Sequence, residues 1–415
     1  MSYAVDAAAI AAAADRLDSV VTTTALHRSE RLTSALGQAV WLKREDQQIS
    51  RSYKLRGAFS LISSLTEEER ARGVVCASAG NHALGVAFSC QLLEVQARVF
   101  LPTTTPRQKR QQIKAVGGDL VETVVEGHTY DETSSLAKAA CAATGAVYVH
   151  PFDDTRTISG QGTVGVEITR QMAGPIGSLL VPLGGGGLLA GVATWFRSES
   201  PSTRLIGAEP SGAASMTAAL EAGAPLEIPT SDRFVEGAAV GRVGELTFPI
   251  IRDLVDEIVV VPEGAVATEM LELYQVDGII TEPAGALATA ALLDHASTLP
   301  GPVVCIVSGG NNDVSRYAET IERSLVFEGL RHYFLVTFPQ EPGSLRHFLD
   351  DILSEGEDII LFEYVKKSNK DAGPALVGIE LEAKADLESL LARMEQSPLS
   401  IERIPPESPL SLFLT

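Results

Sequence analysis

Between about Val40 and Val307 the sequence alternates short apolar runs, rich in β-branched residues, with longer stretches of helical character. Runs that are apolar throughout are typical of parallel strands covered by helices, because both faces of such a strand are buried. The alternation therefore predicts an α/β, doubly wound architecture built on parallel sheet. In folds of this kind ligands bind at the carboxyl ends of the strands.

The predicted elements of this part follow from the length and periodicity of each run. The predicted strands are Val74–Ala77, Ala97–Leu101, Leu120–Val124, Val147–His150, Leu179–Pro182, Leu205–Glu209, Ile258–Val261 and Val303–Val307. The helices predicted between them include Asn81–Leu93, Arg107–Val116, Tyr130–Thr144, Gln161–Met172 and Leu188–Arg197. The Ala-rich start, from Ala7 to Ala14, is predicted to be a surface helix, since Asp6 and Asp15 flank it and no basic leader precedes it.

After about Ser324 the pattern changes to that of a small α+β domain. Its predicted strands are Arg331–Phe338, Asp358–Lys366, Ala375–Glu382 and Ser400–Ile404, and its predicted helices are Ser344–Leu353 and Asp386–Gln396. The resulting βαββαβ order is that of a ferredoxin-like unit. We therefore expect two domains, residues 1–324 with two α/β subdomains and residues 325–415.

The charge of the chain restricts the partners that we expect. The formal net charge is −20 and the sequence pI is about 4.8. A protein this acidic repels phosphate backbones and anionic lipid, so nucleic acid and membrane surfaces are not expected partners. An anionic ligand must instead be held by local backbone N–H groups and single cations.

The expected compartment is a reducing cytoplasm. No apolar run approaches the ~20 residues needed to cross a bilayer. The four cysteines, Cys76, Cys90, Cys141 and Cys305, show no CxxC spacing and stand in apolar segments. We therefore expect buried free thiols and no metal site.

Three glycine-containing segments each follow a predicted strand and open a helix or loop. They are Ser78-Ala79-Gly80-Asn81-His82, Gly184-Gly185-Gly186-Gly187 and Ser308-Gly309-Gly310-Asn311. We expect all three to gather at one edge of a parallel sheet. N–H groups of the four-glycine run, at the N-terminus of the helix that begins at Leu188, would then hold an anion. An isolated run of this kind is at least as typical of a plain tight turn.

Lys54 lies in Ser52–Ala58 (SYKLRGA), just ahead of a helix expected at Ala58–Leu65. A single lysine near a helix start is normally a solvated surface charge. Together with the segment KREDQQ (Lys43–Gln48) and the three glycine-containing segments, however, SYKLRGAF resembles the fold-type II pyridoxal-phosphate family, most closely its threonine dehydratase members. The resemblance covers roughly residues 20–320, and the tail 325–415 resembles the single ACT-like regulatory domain of short-form members.

The resemblance implies a role for each matching residue. Lys54 would form the Schiff base with pyridoxal 5′-phosphate and act as the base for the Cα proton. The remaining cofactor contacts would be Tyr53, which has core packing as an equal alternative, Asn81, Gly184, Gly185, Gly186, Gly187, Leu188 and Ser308. The substrate carboxylate would be bound by the loop containing Ser78, Gly80, Asn81 and His82. Asn81 also suits a helix N-cap, and His82 taken alone is more typical of a supporting contact.

Two positions differ from patterns seen in relatives. Glu209 resembles a cation-binding residue, but Ser215 stands where some relatives have a second acid. We therefore expect no divalent ion and leave a monovalent ion open. Leu84 replaces a glutamine that often follows the Asn-His pair, so details of the substrate loop stay open.

The function implied is deamination of L-threonine to 2-oxobutanoate and ammonia, the first step of isoleucine biosynthesis. Isoleucine would act as allosteric inhibitor through the tail, in a homo-oligomer (a dimer or tetramer). L-serine should also react, about 10–200-fold less well, because one methyl group contributes only ~1–3 kcal/mol to selectivity. The alternatives are a serine-preferring dehydratase, racemase or β-replacement synthase of the same fold, or a non-catalytic amino-acid sensor.

Overall fold

The computed structural model describes residues 3–295, 299–364, 372–405 and 408, apart from the side chains of residues 294 and 295. The chain divides into two compact units, Met1–Asp313 and Val314–Thr415. Ser324, after which the sequence predicts the domain boundary, lies inside the helix Tyr317–Glu328 of the second unit.

The first unit consists of alternating strands and helices. Its strands are Leu26–Arg28 (β1), Val40–Arg44 (β2), Val74–Ala77 (β3), Ala97–Leu101 (β4), Val121–Val125 (β5), Val147–Tyr148 (β6), Ser178–Pro182 (β7), Arg204–Pro210 (β8), Glu257–Val261 (β9) and Val303–Val307 (β10). Its helices are Ala7–Leu17 (α1), Glu30–Leu36 (α2), Lys54–Ser63 (α3), Glu67–Arg72 (α4), Asn81–Leu93 (α5), Arg107–Gly117 (α6), Tyr130–Thr144 (α7), Thr155–Gln171 (α8), Gly187–Glu199 (α9), Ser215–Ala222 (α10), Thr247–Leu254 (α11), Glu263–Gln275 (α12) and Pro283–His295 (α13). The predicted α/β architecture is confirmed.

These strands form two sheets. One has six strands in the order β1-β2-β10-β7-β8-β9, and all its pairs are parallel except β1 with β2. The other has four parallel strands in the order β5-β4-β3-β6. The central strands β3, β7 and β10 are buried along their whole length. Their uniform apolar sequences therefore reflect helices packed on both faces.

All the predicted strands of the first unit are confirmed with ends within two residues, and three details of the unit differ from the prediction. The strand predicted as Val147–His150 ends at Tyr148, because His150 Nδ1 accepts a hydrogen bond from the backbone N–H of Asp153, 2.7 Å away, which turns the chain. The helix predicted from Gln161 begins at Thr155, where the Asp154 side chain caps it. Strands β1 and β2 were not predicted. The predicted N-terminal helix is confirmed, and Asp6 caps its first turn.

The second unit is a small α+β fold. It contains α14 (Tyr317–Glu328), β11 (Arg331–Pro339), α15 (Ser344–Asp351), β12 (Glu357–Tyr364), β13 (Ala372–Leu381), α16 (Asp386–Gln396) and β14 (Ser400–Ile404). The four strands form an antiparallel sheet in the order β12-β13-β11-β14. The predicted βαββαβ order is confirmed, although Val365 and Lys366 of the predicted third element lie outside the described residues.

The core of the second unit comes from alternation along the second half of its central strand, β11. Phe334, Val336 and Phe338 of β11 are buried on one face of the sheet, as the period of two requires. Phe348 of α15 and Leu390 of α16 cover this face. Both helices therefore pack on the same side of the sheet.

The described residues contain no helix that is both long and apolar enough to span a membrane. All four cysteines are free thiols, and Cys76, Cys90 and Cys305 are buried as expected. Cys141 is only partly buried, which corrects the expectation for that residue.

Candidate active site

Lys54 is held between the residues that follow β6 and those that follow β10. The backbone N–H of Tyr53 donates to the Ser308 carbonyl, 3.1 Å away, and the Ser52 hydroxyl accepts from the Lys54 N–H at 3.2 Å. Lys54 Nζ donates to the Pro151 carbonyl at 3.2 Å and lies 5.2 Å from the centre of the Tyr53 ring. The amine is thus partly buried and fixed in direction.

The helix that carries Lys54 begins earlier than the sequence predicts. It runs from Lys54 to Ser63 instead of Ala58–Leu65. Gly57 in its first turn argues against a helix there by intrinsic propensity. However, a Cβ at Gly57 would lie 2.3 Å from Gln161 Nε2, and the Gly57 N–H donates to Gln161 Oε1 at 3.2 Å. Close packing against α8 therefore outweighs propensity and places Lys54 in a rigid first turn.

A buried charge network anchors this turn. The Arg56 guanidinium donates to both carboxylate oxygens of Glu45, each 2.8 Å away, and to Glu167 at 2.7 Å. Lys43 Nζ, also buried, donates to Glu167 at 2.5 Å. Burial disfavours the charged guanidinium, but Glu45 and Glu167 outweigh that cost and raise the pKa of Arg56. Breaking such a buried pair costs ~3–5 kcal/mol, so the network fixes α3 against β2 and α8.

The Gly184–Gly187 run has no room for side chains. A Cβ at Gly185 would lie 2.4 Å from the ring of Phe152, and one at Gly187 would lie 2.9 Å from the Phe152 Cα. Gly186 has φ +94°, a left-handed conformation that favours glycine. Helix α9 begins at Gly187, and its first N–H groups have no partner within the helix. The run therefore offers N–H donors at a helix N-terminus, as an anion site requires.

Asn81 uses its side chain to link two loops. Helix α5 begins at Asn81 and its cap residue is Gly80, so the alternative role of Asn81 as N-cap is wrong. Asn81 Nδ2 donates to Glu282 Oε1 at 2.5 Å, and Asn81 Oδ1 accepts from Asn311 Nδ2 at 2.7 Å. The amide of Asn81 is therefore fixed in orientation.

His82 supports the segment that contacts Lys54. The ring is buried, and its Nε2–H donates to the Val149 carbonyl at 2.8 Å. Burial, with the nearby Lys54 charge, lowers the pKa of His82 to about 3, so the ring is neutral. Its Nδ1 has no hydrogen-bond partner among the described residues. In the same loop, the Gly80 N–H donates to the Ser78 hydroxyl at 3.2 Å.

Ser308 lies buried at the end of β10. Its hydroxyl donates to the Ala284 carbonyl at 3.0 Å. The next residue, Gly309, forms an antiparallel bridge with Ser52, two residues before Lys54. Ser308 is therefore fixed close to the helix that carries the lysine.

The three glycine-containing segments do converge, but not along one sheet as the sequence predicts. The segments after β7 and β10 follow neighbouring strands of the six-stranded sheet, whereas Ser78–His82 follows β3 of the other sheet. The Asn81–Asn311 hydrogen bond joins the edges of the two sheets. Periodicity indicates that a segment is a strand, but not to which sheet the strand belongs.

The protein-family comparison matches residues 17–309 to the family described as "Pyridoxal-phosphate dependent enzyme". The chain belongs to this family. Residues 322–414 match the family described as "C-terminal regulatory domain of Threonine dehydratase". The tail of this pyridoxal-phosphate-dependent enzyme is therefore a regulatory domain of that type.

Full-length relatives narrow the family further. The chain is 52% identical over 415 residues to an L-threonine dehydratase biosynthetic IlvA of Mycobacterium tuberculosis, which covers 99% of this chain and 96% of the relative. It is 48% identical over 380 residues to the protein of the same name from Bacillus subtilis, with 91% and 90% covered. The chain therefore belongs to the biosynthetic threonine dehydratase branch of the family.

Solved structures agree with this assignment. Threonine deaminase isoform 2 of Solanum lycopersicum has a TM-score of 0.72 and 40% identity, over 76% of this chain and 92% of that chain. Maize serine racemase has a TM-score of 0.72 and 32% identity, over 78% of this chain and 99% of that chain. The fold-type II pyridoxal-phosphate fold is thus confirmed.

The residues present fit pyridoxal phosphate. Gly184–Gly187 form a cradle that any Cβ would fill, with N–H donors suited to a phosphate. A lysine amine, which can form a Schiff base, stands beside an aromatic ring. Polar groups of Asn81 and Ser308 lie on the loops around it. The cradle and the amine are joined through Pro151 and Phe152, which are adjacent in sequence.

The Glu209 carboxylate already accepts several hydrogen bonds from within the protein, which does not favour a cation there. It accepts from the N–H groups of Met216 at 3.0 Å and Thr217 at 2.8 Å, and from the Thr217 hydroxyl. It thereby binds the start of α10. No cluster of three or more His, Cys, Asp or Glu side chains within the described residues is arranged to hold a metal ion.

Sequence reasoning missed Glu282, Asn311 and Phe152 as site residues. Glu282 precedes Pro283, and an acid just before a helix that opens with proline is typical of a helix start. Asn311 belongs to the glycine-containing segment after β10, but its residue type alone indicates no particular role. A large aromatic residue shortly before a glycine run gives no sequence signal of contact with it. The run Glu282-Pro283-Ala284-Gly285 therefore predicts the start of a helix but not a role for Glu282 in the site.

Proposed function

We propose that this chain uses pyridoxal phosphate attached to Lys54 to convert L-threonine to 2-oxobutanoate and ammonia, the first step of isoleucine biosynthesis. The observation that carries the proposal is the position of the Lys54 amine. It donates to the Pro151 carbonyl at 3.2 Å, and the ring of the next residue, Phe152, packs against the glycine cradle. The full-length likeness to biosynthetic threonine dehydratases supports the choice of substrate.

Residues of this chain would hold the cofactor at five points. The amine of Lys54 attaches it, and N–H groups from Gly184 to Leu188 bind its phosphate. Asn81 donates a hydrogen bond to the ring hydroxyl, and Tyr53 flanks the ring. Ser308 faces the ring nitrogen with a hydroxyl, which does not raise the pKa of that nitrogen as a carboxylate would. Bound pyridoxal phosphate supplies an electron sink for the electrons of the broken Cα–H bond.

The substrate would be oriented by the loop before α5. The Ser78 hydroxyl and the backbone N–H groups of Gly80, Asn81 and His82 are the donors proposed for its carboxylate. A neutral His82 suits this loop, because it holds the Val149–Pro151 segment without adding charge. The amine of Lys54, when free, would take the Cα proton and, as an ammonium group, would give it to the departing β-hydroxyl, which leaves as water.

Serine is the second substrate that we expect, since the same donors bind its carboxylate and its β-hydroxyl can leave in the same way. The fold likeness to a serine racemase favours activity on serine. The higher, full-length identity to threonine dehydratases favours threonine as the preferred substrate. The matched regulatory family at residues 322–414 also argues against a racemase assignment, because feedback control belongs to a biosynthetic step.

The regulatory domain offers a place for an amino-acid effector. Strand β11 ends at Pro339 and α15 begins at Ser344, with Gly343 in the left-handed region at φ +98°. N–H groups at such a helix start can hold a carboxylate. We propose isoleucine as the inhibitor and a homo-oligomer as the acting form, because linked sites shift a population more easily than one site. Cytoplasmic location stays a prediction.

The test of this function is a direct assay on the purified protein. Keto-acid release is followed with L-threonine and with L-serine as the only substrate. We expect 2-oxobutanoate from threonine, with a kcat/KM about 10–200-fold above that for pyruvate release from serine. A higher kcat/KM for serine would replace threonine by serine as the physiological substrate. A colourless protein with neither activity would support the non-catalytic sensor.

A further inference from the structure

Glu282 lies at the meeting point of the site loops. Its N–H donates to the Gly309 carbonyl at 3.2 Å, directly after Ser308. A Cβ at Gly309 would lie 2.3 Å from Glu282 Oε1, so the carboxyl group fills the space that a side chain there would take. On the other side, the Gly285 N–H donates to the Glu282 carbonyl at 2.8 Å and starts α13. Both the backbone N–H and the backbone carbonyl of Glu282 are therefore hydrogen-bonded.

The carboxyl group of Glu282 begins a chain of side-chain hydrogen bonds. It accepts from Asn81 Nδ2 at 2.5 Å, and Asn81 Oδ1 accepts from Asn311 Nδ2 at 2.7 Å. Asn311 Nδ2 also donates to the Ser50 carbonyl at 2.8 Å. An amide nitrogen carries two N–H donors. Because the oxygen and one N–H of the Asn81 amide are hydrogen-bonded, the amide plane cannot flip. The direction of its second N–H is therefore fixed.

The charges around Glu282 come from two helices and one loop. Lys109 of α6 and Glu236 form an ion pair of 2.8 Å, and Lys54 stands at the start of α3. Burial raises the pKa of the Glu282 carboxyl to about 7; Glu236 raises it too, whereas the Asn81 hydrogen bond, Lys109 and Lys54 oppose the shift. Ionised and neutral forms therefore coexist near neutral pH. The hydrogen bond from Asn81 is strongest when the carboxylate is ionised.

We propose that Glu282 is a positioning residue for the cofactor, which orients the Asn81 amide so that its second N–H meets the ring hydroxyl of pyridoxal phosphate. This inference rests on the proposed contact between Asn81 and that hydroxyl. Glu282 itself does not touch the reacting atoms. Through Asn81, its ionisation changes the strength of one hydrogen bond to the cofactor ring.

The test follows the visible absorbance of the lysine-bound cofactor in the purified holoenzyme between pH 5.5 and 8.5. In the unsubstituted enzyme we expect a spectral change with a midpoint near pH 7. Glu282→Gln keeps an acceptor for Asn81 but cannot ionise, so its spectrum should lack that change. Glu282→Ala removes the acceptor and should weaken cofactor binding on the order of tenfold, the effect of one lost charge-assisted hydrogen bond.

A matched control is Glu263→Gln. The Glu263 carboxylate is buried and accepts from the Gly212 N–H at 2.6 Å and from the Ser211 hydroxyl, none of which belongs to the proposed site. The visible absorbance of Glu263→Gln should change with pH in the same way as that of the unsubstituted enzyme. A Glu282→Gln spectrum that titrates like the unsubstituted enzyme would overturn the inference. Far-UV circular dichroism checks that each variant is folded. If Glu282→Ala does not fold, the isosteric variant Glu282→Gln still tests the inference through its absorbance.

The variant Asn81→Ala separates the inference from the function on which it rests. If Glu282 acts through Asn81, then adding Glu282→Ala to Asn81→Ala should change the cofactor affinity no further. Additive losses would overturn the inference. An Asn81→Ala enzyme with unaltered spectrum and affinity would refute the proposed role of Asn81 as well. An effect of Asn81→Ala without any effect of Glu282→Ala or Glu282→Gln would refute the role of Glu282 alone.

Discussion

The ring of Phe152 occupies the space that a side chain on Gly185 would need, since a Cβ there would lie 2.4 Å from the ring. Phe152 follows Pro151, whose carbonyl accepts a hydrogen bond from Lys54 Nζ. The same short segment thus shapes the glycine cradle and holds the lysine. The proposed covalent and phosphate attachment points of the cofactor are consequently fixed relative to each other.

Replacement of Gly185 by alanine should therefore damage the cradle. Phe152 must shift to admit the Cβ, and overpacking of this kind costs ~1–3 kcal/mol. We expect a lower cofactor content after dialysis and a lower unfolding temperature. Gly174→Ala is the control, because a Cβ at Gly174 meets nothing within 4 Å. Equal cofactor retention by the two variants would contradict this account of the cradle.

Ser308→Asp should put a carboxylate next to the ring nitrogen and raise the pKa of that nitrogen. A protonated ring withdraws electrons more strongly, so we expect slower elimination and a new long-wavelength absorbance band in the presence of substrate. Stopped-flow absorbance with threonine measures both. Ser308→Ala is the control without charge, and it should show no such band. If rate and spectrum of Ser308→Asp both stay unchanged, Ser308 does not face the nitrogen.

The raised pKa of Glu282 also predicts how stability depends on pH. Its ordinary value is 4.5 and its value in the folded protein is about 7. Between these values the folded protein binds a proton that the unfolded chain has released, so its stability falls as pH rises through this window. The apo form of Glu282→Gln should lack this contribution, which is at most roughly 3 kcal/mol. Free energies of unfolding at pH 5 and pH 7.5 measure it. Parallel pH dependences of variant and unsubstituted protein would exclude a raised pKa.

Removal of the second unit should abolish feedback control. Because Ser324 lies within α14, whose Glu322 binds Tyr333 of β11 at 2.6 Å, we place the cut after Asp313. The shortened enzyme should release 2-oxobutanoate from threonine without inhibition by isoleucine. The full-length enzyme should show sigmoidal inhibition. The measurement is keto-acid release against isoleucine concentration for both proteins, and equal inhibition would place the effector site outside the tail.

The sequence predicted the buried strands and the glycine-containing segments that follow three of them because those features are local. A run such as Val303–Val307 is apolar throughout, and a glycine run marks a turn wherever it occurs. Strand β2 escaped prediction because it ends in Lys43 and Arg44, and charged residues argue against a buried strand. Lys43 is nevertheless buried, since Glu167, far along the chain, pairs with it. Such a partner cannot be recognised from a local pattern.

The start of α8 at Thr155 was not predicted either, because it too depends on contacts with distant parts of the chain. Its first half is rich in residues with poor helix propensity, among them Gly160 and Gly162. A Cβ at Gly160 would lie 2.5 Å from the Arg56 carbonyl, and one at Gly162 would lie 2.9 Å from the Gly191 carbonyl. These glycines allow α3 and α9 to pack closely against α8. The helix is thus stabilised by tertiary contacts, which propensity does not register.

The most direct test of the central claim is the activity of Lys54→Ala with threonine. In the proposed function, both the covalent attachment of the cofactor and the base for the Cα proton depend on this one amine. We expect no measurable 2-oxobutanoate, and no covalent cofactor after borohydride reduction, although pyridoxal phosphate can still dock at Gly184–Gly187. Lys114→Ala, which removes an exposed amine near the end of α6, should keep most activity. Release of 2-oxobutanoate by Lys54→Ala at the rate of the unsubstituted enzyme would contradict the account.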